Sequence, residues 1–220
     1  MTDTPSDITR STRPRTQPQP RWAKIVSDFF SPLLVPTYAM AVAMWLTPLR
    51  VLPERSRLIS TAIVAFLTAV LPALAIMALI RAGRVSDAAI SDRRERFIPF
   101  SISVLCFLFA AWILHRMGAP AWLSMFYIAA AAVAAVELVV SIAWKISAHA
   151  GAMGGLAGMF LWFTVSGVPD LGALASLSVA IICGGLVCSS RLALHRHTFL
   201  QVVAGFILGL GGAFGMMWIH

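Results

Sequence analysis

Acidic side chains are scarce. Only nine Asp and Glu residues are spread over 220 positions. Asp87 and Asp92 stand near each other, but the sequence lacks the repeated acidic clusters with which a prenyl- or alcohol-phosphate transferase bridges a diphosphate through metal. Cysteine is scarcer still: Cys106, Cys183 and Cys188 fall inside apolar runs, without a Cys-x-x-Cys pair or a Cys/His ligand spacing. They read as packing residues, and neither a metal nor a cofactor is expected. Charge of either sign is sparse, at 12% of residues against 59% hydrophobic, and the mean hydropathy of +0.84 excludes a soluble domain. No short apolar core directly follows the first basic residues, so a cleavable signal peptide is not expected.

What is present is a succession of long apolar runs. About 20 apolar residues cross the hydrocarbon core as a helix, with every backbone group satisfied internally. Seven runs qualify: 27–48, 58–80, 99–117, 123–144, a Gly-rich run ending near 168, 171–189 and 199–219. Pro32 and Pro36 mark a start or kink in the first, and Pro72 a kink in the second. Residues 1–24, punctuated by Pro14, Pro18 and Pro20, read as a disordered basic tail. The expected fold is therefore all-α, a polytopic transmembrane bundle of about seven spans over 25–220. Gly151, Gly154, Gly155 and Gly158, with Gly205, Gly209, Gly211, Gly212 and Gly215, read as close-packing faces.

The formal net charge is nevertheless +8. Its carriers lie in short connectors, where they meet anionic lipid heads or substrate phosphates rather than nucleic acid. Seven crossings place four basic segments on one face: the tail, the connector 81–98, residues 145–150 and residues 190–197. The chemistry is expected on that face. His115 and His220 fall on the other and read as bystanders.

The densest signal is Ser190-Arg191-Leu192-Ala193-Leu194-His195-Arg196-His197-Thr198-Phe199-Leu200-Gln201. Arg and His clustered at a membrane edge point to a functional site. His197 and Gln201 are four apart, so on a helix the amide reaches the imidazole and holds a positioned base or nucleophile. Arg191 offers the bidentate fork that fits phosphate. His195 and Arg196 read as a hydrated helix end, and Glu137 as either a structural partner or a catalytic carboxyl.

Ser190-Arg191, five residues, His197 resembles the third signature of the type 2 phosphatidic acid phosphatase superfamily. Ser147-Ala148-His149 resembles its second, Pro-Ser-Gly-His. Arg96-Phe97-Ile98-Pro99, closing the charged connector, is more loosely similar to its first, a Lys, six residues, then Arg-Pro. The resemblance covers roughly residues 81–215 and implies a metal-independent phosphatase acting on a lipid-linked phosphate in the bilayer. His197 then corresponds to the nucleophile that forms a phosphohistidine, with Gln201 in the place of its orienting aspartate. His149 corresponds to the general acid. Arg191 and Arg96 correspond to the phosphate-gripping arginines, with Ser147 adding a donor, and Arg94 and Lys145 compete for the role of the first-motif lysine.

Three departures accompany the resemblance. Ile146 and Ala148 replace the proline and glycine of the second motif, the first-motif lysine is displaced, and Gln201 replaces the aspartate four residues after the nucleophile. A comparable carboxylate-to-amide change in a serine-protease triad costs about 10⁴ in rate. Asp92, Glu95 or Glu137 would then have to supply the charge. Otherwise the chain is a weak or inactive relative that binds anionic headgroups, or a lipid phosphotransferase. Charge bias places the motif face in the cytoplasm, whereas the resemblance implies an outward-facing site on a bacterial inner membrane. Polyprenyl and glycerolipid phosphates both fit, and the sequence is silent on oligomeric state.

Overall fold

The computed structural model describes residues 19–86, 93–167 and 172–219, apart from the side chains of Arg93 and Arg94. Among the described residues every regular element is helical. Among these residues six helical stretches are long and apolar enough to cross a membrane: Glu54–Arg81, Phe97–Arg116, Ala121–Ala143, Ala148–Ser166, Ala173–Ala193 and Phe199–Met216. This is an integral membrane bundle. Large apolar side chains such as Leu105, Trp112, Val139, Ile142, Ile182 and Ile207 stay exposed on its outer faces, as lipid contact requires. Inside, Met40, Leu114, Tyr127, Met153, Met159 and Phe163 are almost completely enclosed.

The first apolar run departs from a single rod. Helix α1 (Arg21–Phe29) is amphipathic, with Ala23 and Ser27 turned inward and Trp22, Ile25 and Phe29 outward. Its first turn takes in residues 21–24, the expected end of the tail; residues 1–18 lie outside the described part. The chain breaks before α2 (Val35–Leu46) because Pro32 lacks an N–H and its ring disfavours helix in the residue before it. Pro36 is tolerated in the first turn of α2, where an N–H would have no intrahelical partner. At 12 residues, α2 is about 18 Å long, short of the roughly 30 Å hydrocarbon core. Tyr127 pins its start by donating to the Pro36 carbonyl at 2.7 Å.

The second span is continuous but irregular. Helices α3 (Glu54–Ala65) and α4 (Leu71–Arg81) join through a π-turn over Phe66–Val70. Pro72 cannot donate to the residue 68 carbonyl and its ring would strike it, so the widened turn absorbs the defect. Where a kink is expected, the span continues through this π-turn. The Thr68 hydroxyl, freed inside the bundle, lies 3.3 Å from that of Thr37 in α2.

Helices α5 (Phe97–Arg116), α6 (Ala121–Ala143), α7 (Ala148–Ser166), α8 (Ala173–Ala193) and α9 (Phe199–Met216) complete the bundle. The tightest pair is α7 with α9. A Cβ at Gly154 or Gly158 would run into the carbonyls of Phe206 or Leu210, and one at Gly205 or Gly209 into those of Ser147 or Gly151. The two backbones therefore touch, as small residues permit in lipid. Gly211 and Gly215 face open space and take no part in this seam. The starts of the two helices are tied where the Ser147 N–H donates to the Gln201 carbonyl at 3.3 Å. That seam brings two sequence motifs, some fifty residues apart, to one end of the bundle.

Candidate functional site

The chain reverses between α8 and α9 in a tight turn. The Arg196 N–H donates to the Arg191 carbonyl at 3.1 Å and the His195 N–H to the Leu192 carbonyl at 2.9 Å, the paired bonds of a Schellman cap. The residue at its centre needs a positive φ and is usually glycine. Here it is His195, at φ 51°, while the histidine itself is exposed. The cap leaves Arg191 as the last buried side chain of one helix and sets His197 directly before the next.

Thr198 then starts α9 with a capping box. Gln201 Oε1 accepts the Thr198 N–H at 3.0 Å. The Gln201 side chain also interacts with the His197 ring, favouring its charged form. Burial outweighs that pull, and the charges of Arg191, Lys145 and Arg96 add to it, so His197 is pushed down to about 3. It is a neutral imidazole at neutral pH, and its Nδ1 is buried without a hydrogen-bond partner among the described residues.

Ser147 is the N-cap of α7, its Oγ accepting the Ala150 N–H at 3.4 Å while its carbonyl takes the Gly151 N–H. The Ala148 and His149 N–H groups are left without an intrahelical acceptor, at the positive end of the helix dipole. His149 itself, in the first turn, is hydrogen-bonded to the main chain of Ser27. Ser27 also accepts, through its Oγ, a 2.7 Å bond from Arg191 Nη1. One residue of the amphipathic α1 thus holds two of the motif side chains.

Arg96 is the residue from which α5 starts. Its Nη1 donates to Ser141 Oγ at 3.3 Å and to the Ile146 carbonyl at 3.2 Å, and its guanidinium lies 5.9 Å from the Phe100 ring centre. Burial lowers its proton affinity and the nearby Glu137 carboxylate raises it again. Arg96 and Arg191 are only 6% and 7% exposed, and His197 9%. Two arginines are withdrawn from water here: Arg96 repels a charge on Arg191, and Glu137 and Asp28 are the acidic groups that attract them. A bound anion adds to that attraction.

These side chains converge at one end of a cavity of about 170 Å³. Arg96, Glu137, His149, Arg191 and His197 form its polar head. Beyond them the walls are mainly apolar, with Phe100 and Phe107 of α5, Phe126 and Val133 of α6, and Ala213 of α9 among them and Ser31 and Ser103 as polar exceptions. Phe126 stands about 16 Å further along α6 than Glu137. The shape is a charged head on a narrow apolar throat.

No family model, curated protein or solved structure matches this chain. Its site is therefore read from its own residues. Six of the eight expected positions, His197, His149, Gln201, Arg191, Arg96 and Ser147, are brought together by the ends of α5, α7, α8 and α9. Lys145, half-buried, stands close enough to repel a proton on His197. The side chain of Arg94 lies outside the described residues, as does Asp92. Glu95 is engaged elsewhere, accepting both the N–H and the hydroxyl of Ser86 at 2.8 Å.

Sequence reasoning missed Ser27. Its inward position repeats that of Ala23 four residues earlier, a signal that becomes visible only once 21–29 is recognised as a helix. It also missed that Thr198-x-x-Gln201 is a capping-box pattern. That pattern gives Gln201 a structural use independent of any aspartate it replaces.

Proposed function

We propose that this protein is an integral-membrane, metal-independent phosphatase that hydrolyses a lipid-linked phosphate through a phosphohistidine. The observation that carries the reading is the convergence of a neutral His197, His149 and two buried arginines on the polar head of a cavity whose remaining walls are mainly apolar. A phosphate with a hydrocarbon tail matches both parts of that cavity.

In this reading the arginines and the free Ala148 and His149 N–H groups hold the three non-bridging oxygens, where charge accumulates as phosphorus is transferred. A ring nitrogen of His197 uses its lone pair to form a P–N bond as the P–O bond to the lipid breaks. His149, carrying a proton taken up together with the dianionic phosphate, delivers it to the departing alkoxide, so the alcohol leaves neutral. The same imidazole, now deprotonated, takes a proton from a water that attacks phosphorus and cleaves the P–N bond, releasing inorganic phosphate and restoring His197. Lys145 and Arg94 are the candidate replacements for the first-motif lysine. The N-terminal ends of α5, α7 and α9 lie at the site and add a favourable field for the anion.

We also read α1 and α2 as one broken crossing, giving seven in all. Ser27 holds α1 at the motif end, whereas the far end of α2 meets the start of α3, with Arg57 over the Trp45 ring at 5.2 Å. The bacterial inner membrane is the setting the resemblance implies.

The test is phosphate release from a panel of lipid phosphates by purified protein in detergent, with and without chelator, beside His197→Ala. Release should survive chelation and fall at least about 10³-fold in the variant. Activity that needs metal, or that persists in His197→Ala, would overturn the mechanism. A second reading is favoured by one observation, the commitment of Gln201 Oε1 to Thr198 in place of a carboxylate facing His197. It is headgroup binding without turnover, and tight lipid-phosphate binding with no release would establish it.

A further inference from the structure

Glu137 is the one side chain at the cavity head whose chemistry the phosphate reading does not use. It is 4% exposed, lines the cavity, and its Oε1 has no hydrogen-bond partner among the described residues. Leaving a buried polar oxygen unpaired costs about 1–3 kcal/mol, and more when charged. The oxygen lies against Gly151, where a Cβ would occupy its place. Gly151 follows His149 by two residues along α7, about 3 Å deeper into the membrane.

Glu137 therefore stands at the join between the charged head and the apolar throat. A phosphate ester seated on Arg191 and His197 with its tail in the throat passes its first carbons by this carboxylate. Arg96, from the start of α5, is the charged group that acts on it, and His149 of α7, Arg191 of α8 and His197 from the loop before α9 line the same cavity. The arginines hold the anionic head, while a donor further along the ester meets the Glu137 carboxyl.

We propose that Glu137 selects the alcohol half of the ligand, its cavity-lining carboxyl accepting a hydrogen bond from a hydroxyl or ammonium group borne close to the ester oxygen. The proposal rests on the phosphate site described above, though not on hydrolysis there. It separates two substrate classes: glycerol-like or amino-alcohol lipid phosphates satisfy Glu137, and plain alkyl or isoprenoid phosphates present only carbon and leave it unpaired.

The experiment compares hexadecyl phosphate with 2-hydroxyhexadecyl phosphate, read as ligand-dependent thermal stabilisation of the full chain in detergent. Wild-type protein should bind the hydroxylated ester at least about ten-fold tighter. Glu137→Gln, which keeps the volume and turns one carboxyl oxygen into an NH2 donor, should reduce that preference below about three-fold. Affinities equal within about two-fold in the wild type, or a preference untouched in Glu137→Gln, would overturn the proposal. Should that variant fail to fold, the wild-type pair still decides, with Glu137→Asp as the second variant expected to lose selectivity. Phosphate release from the same samples separates the two claims: preference without release sinks the phosphatase and keeps the selector, release without preference does the reverse. Binding of neither ester sinks both.

Discussion

At the scale of single residues, the site is governed by what burial does to charge. His197 stays unprotonated because the surrounding protein cannot solvate an imidazolium and three cations oppose it. In the unfolded chain the same ring takes up a proton near pH 6.5. Between that value and about 3 the unfolded state binds a proton that the folded state refuses, so stability falls as pH falls through this window. Thermal denaturation in detergent should show this loss, and His197→Gln should flatten the slope by up to about 1.4 kcal/mol per pH unit. An identical slope in the variant would mean that the ring is hydrated and ordinary.

Gln201 allows a second residue-scale test. Glutamate serves the third position of a capping box as well as glutamine, so Gln201→Glu should fold normally while placing a negative charge on His197. The imidazole titration, followed by nitrogen NMR, should then move up toward 6.5. An unmoved titration would show that residue 201 serves only the cap.

At the scale of elements, the geometry of the candidate site depends on how closely two helices approach. Gly209 sits where any side chain would enter the backbone of α7, whereas Gly211, two residues on, faces open space. Gly209→Ala should cost about 1–3 kcal/mol through overpacking and pull His149 away from His197. Gly211→Ala should be neutral or slightly stabilising, since alanine is the better helix former. Melting temperature and phosphate release measured on both variants check the pair, and equal effects would contradict the seam. The break at Pro32 belongs to this scale too. It frees α1 from the line of α2 to pack against α8, and so makes Ser27 available to Arg191 and His149.

At the scale of the molecule, the remaining question is which way the bundle sits. Of the 17 Lys and Arg residues, only Arg50, Arg55, Arg57 and Arg116 belong to the face opposite the motifs, so the positive-inside rule predicts a cytoplasmic motif face. Reporters fused to the two termini should find the N-terminus in the cytoplasm and, with seven crossings, the C-terminus outside. Both termini on one side would mean that α1 and α2 do not cross together. An external N-terminus would mean that the arginines of the site do not govern insertion, as an outward-facing phosphatase requires.

The sequence by itself determined the class of the molecule, because long apolar runs have no stable alternative to helices in a bilayer. It also marked the segments whose polar side chains the bundle gathers, since Arg191, His197 and His149 are charged or polar where lipid tolerates neither without cause. Only the tertiary structure decided the rest. That 27–48 is two helices follows from where α1 finds a partner, and periodicity inside a single run does not contain that partner. Glu137 was visible as a lone carboxyl in an apolar stretch, yet its relation to Gly151 and Arg96 depends on three helices meeting. Ser27 carried no mark at all: a serine is ordinary until packing sets it between an arginine and a histidine distant in the chain. Local physics selects elements from neighbours a few residues apart, whereas a site is assembled by contacts that close across the whole bundle.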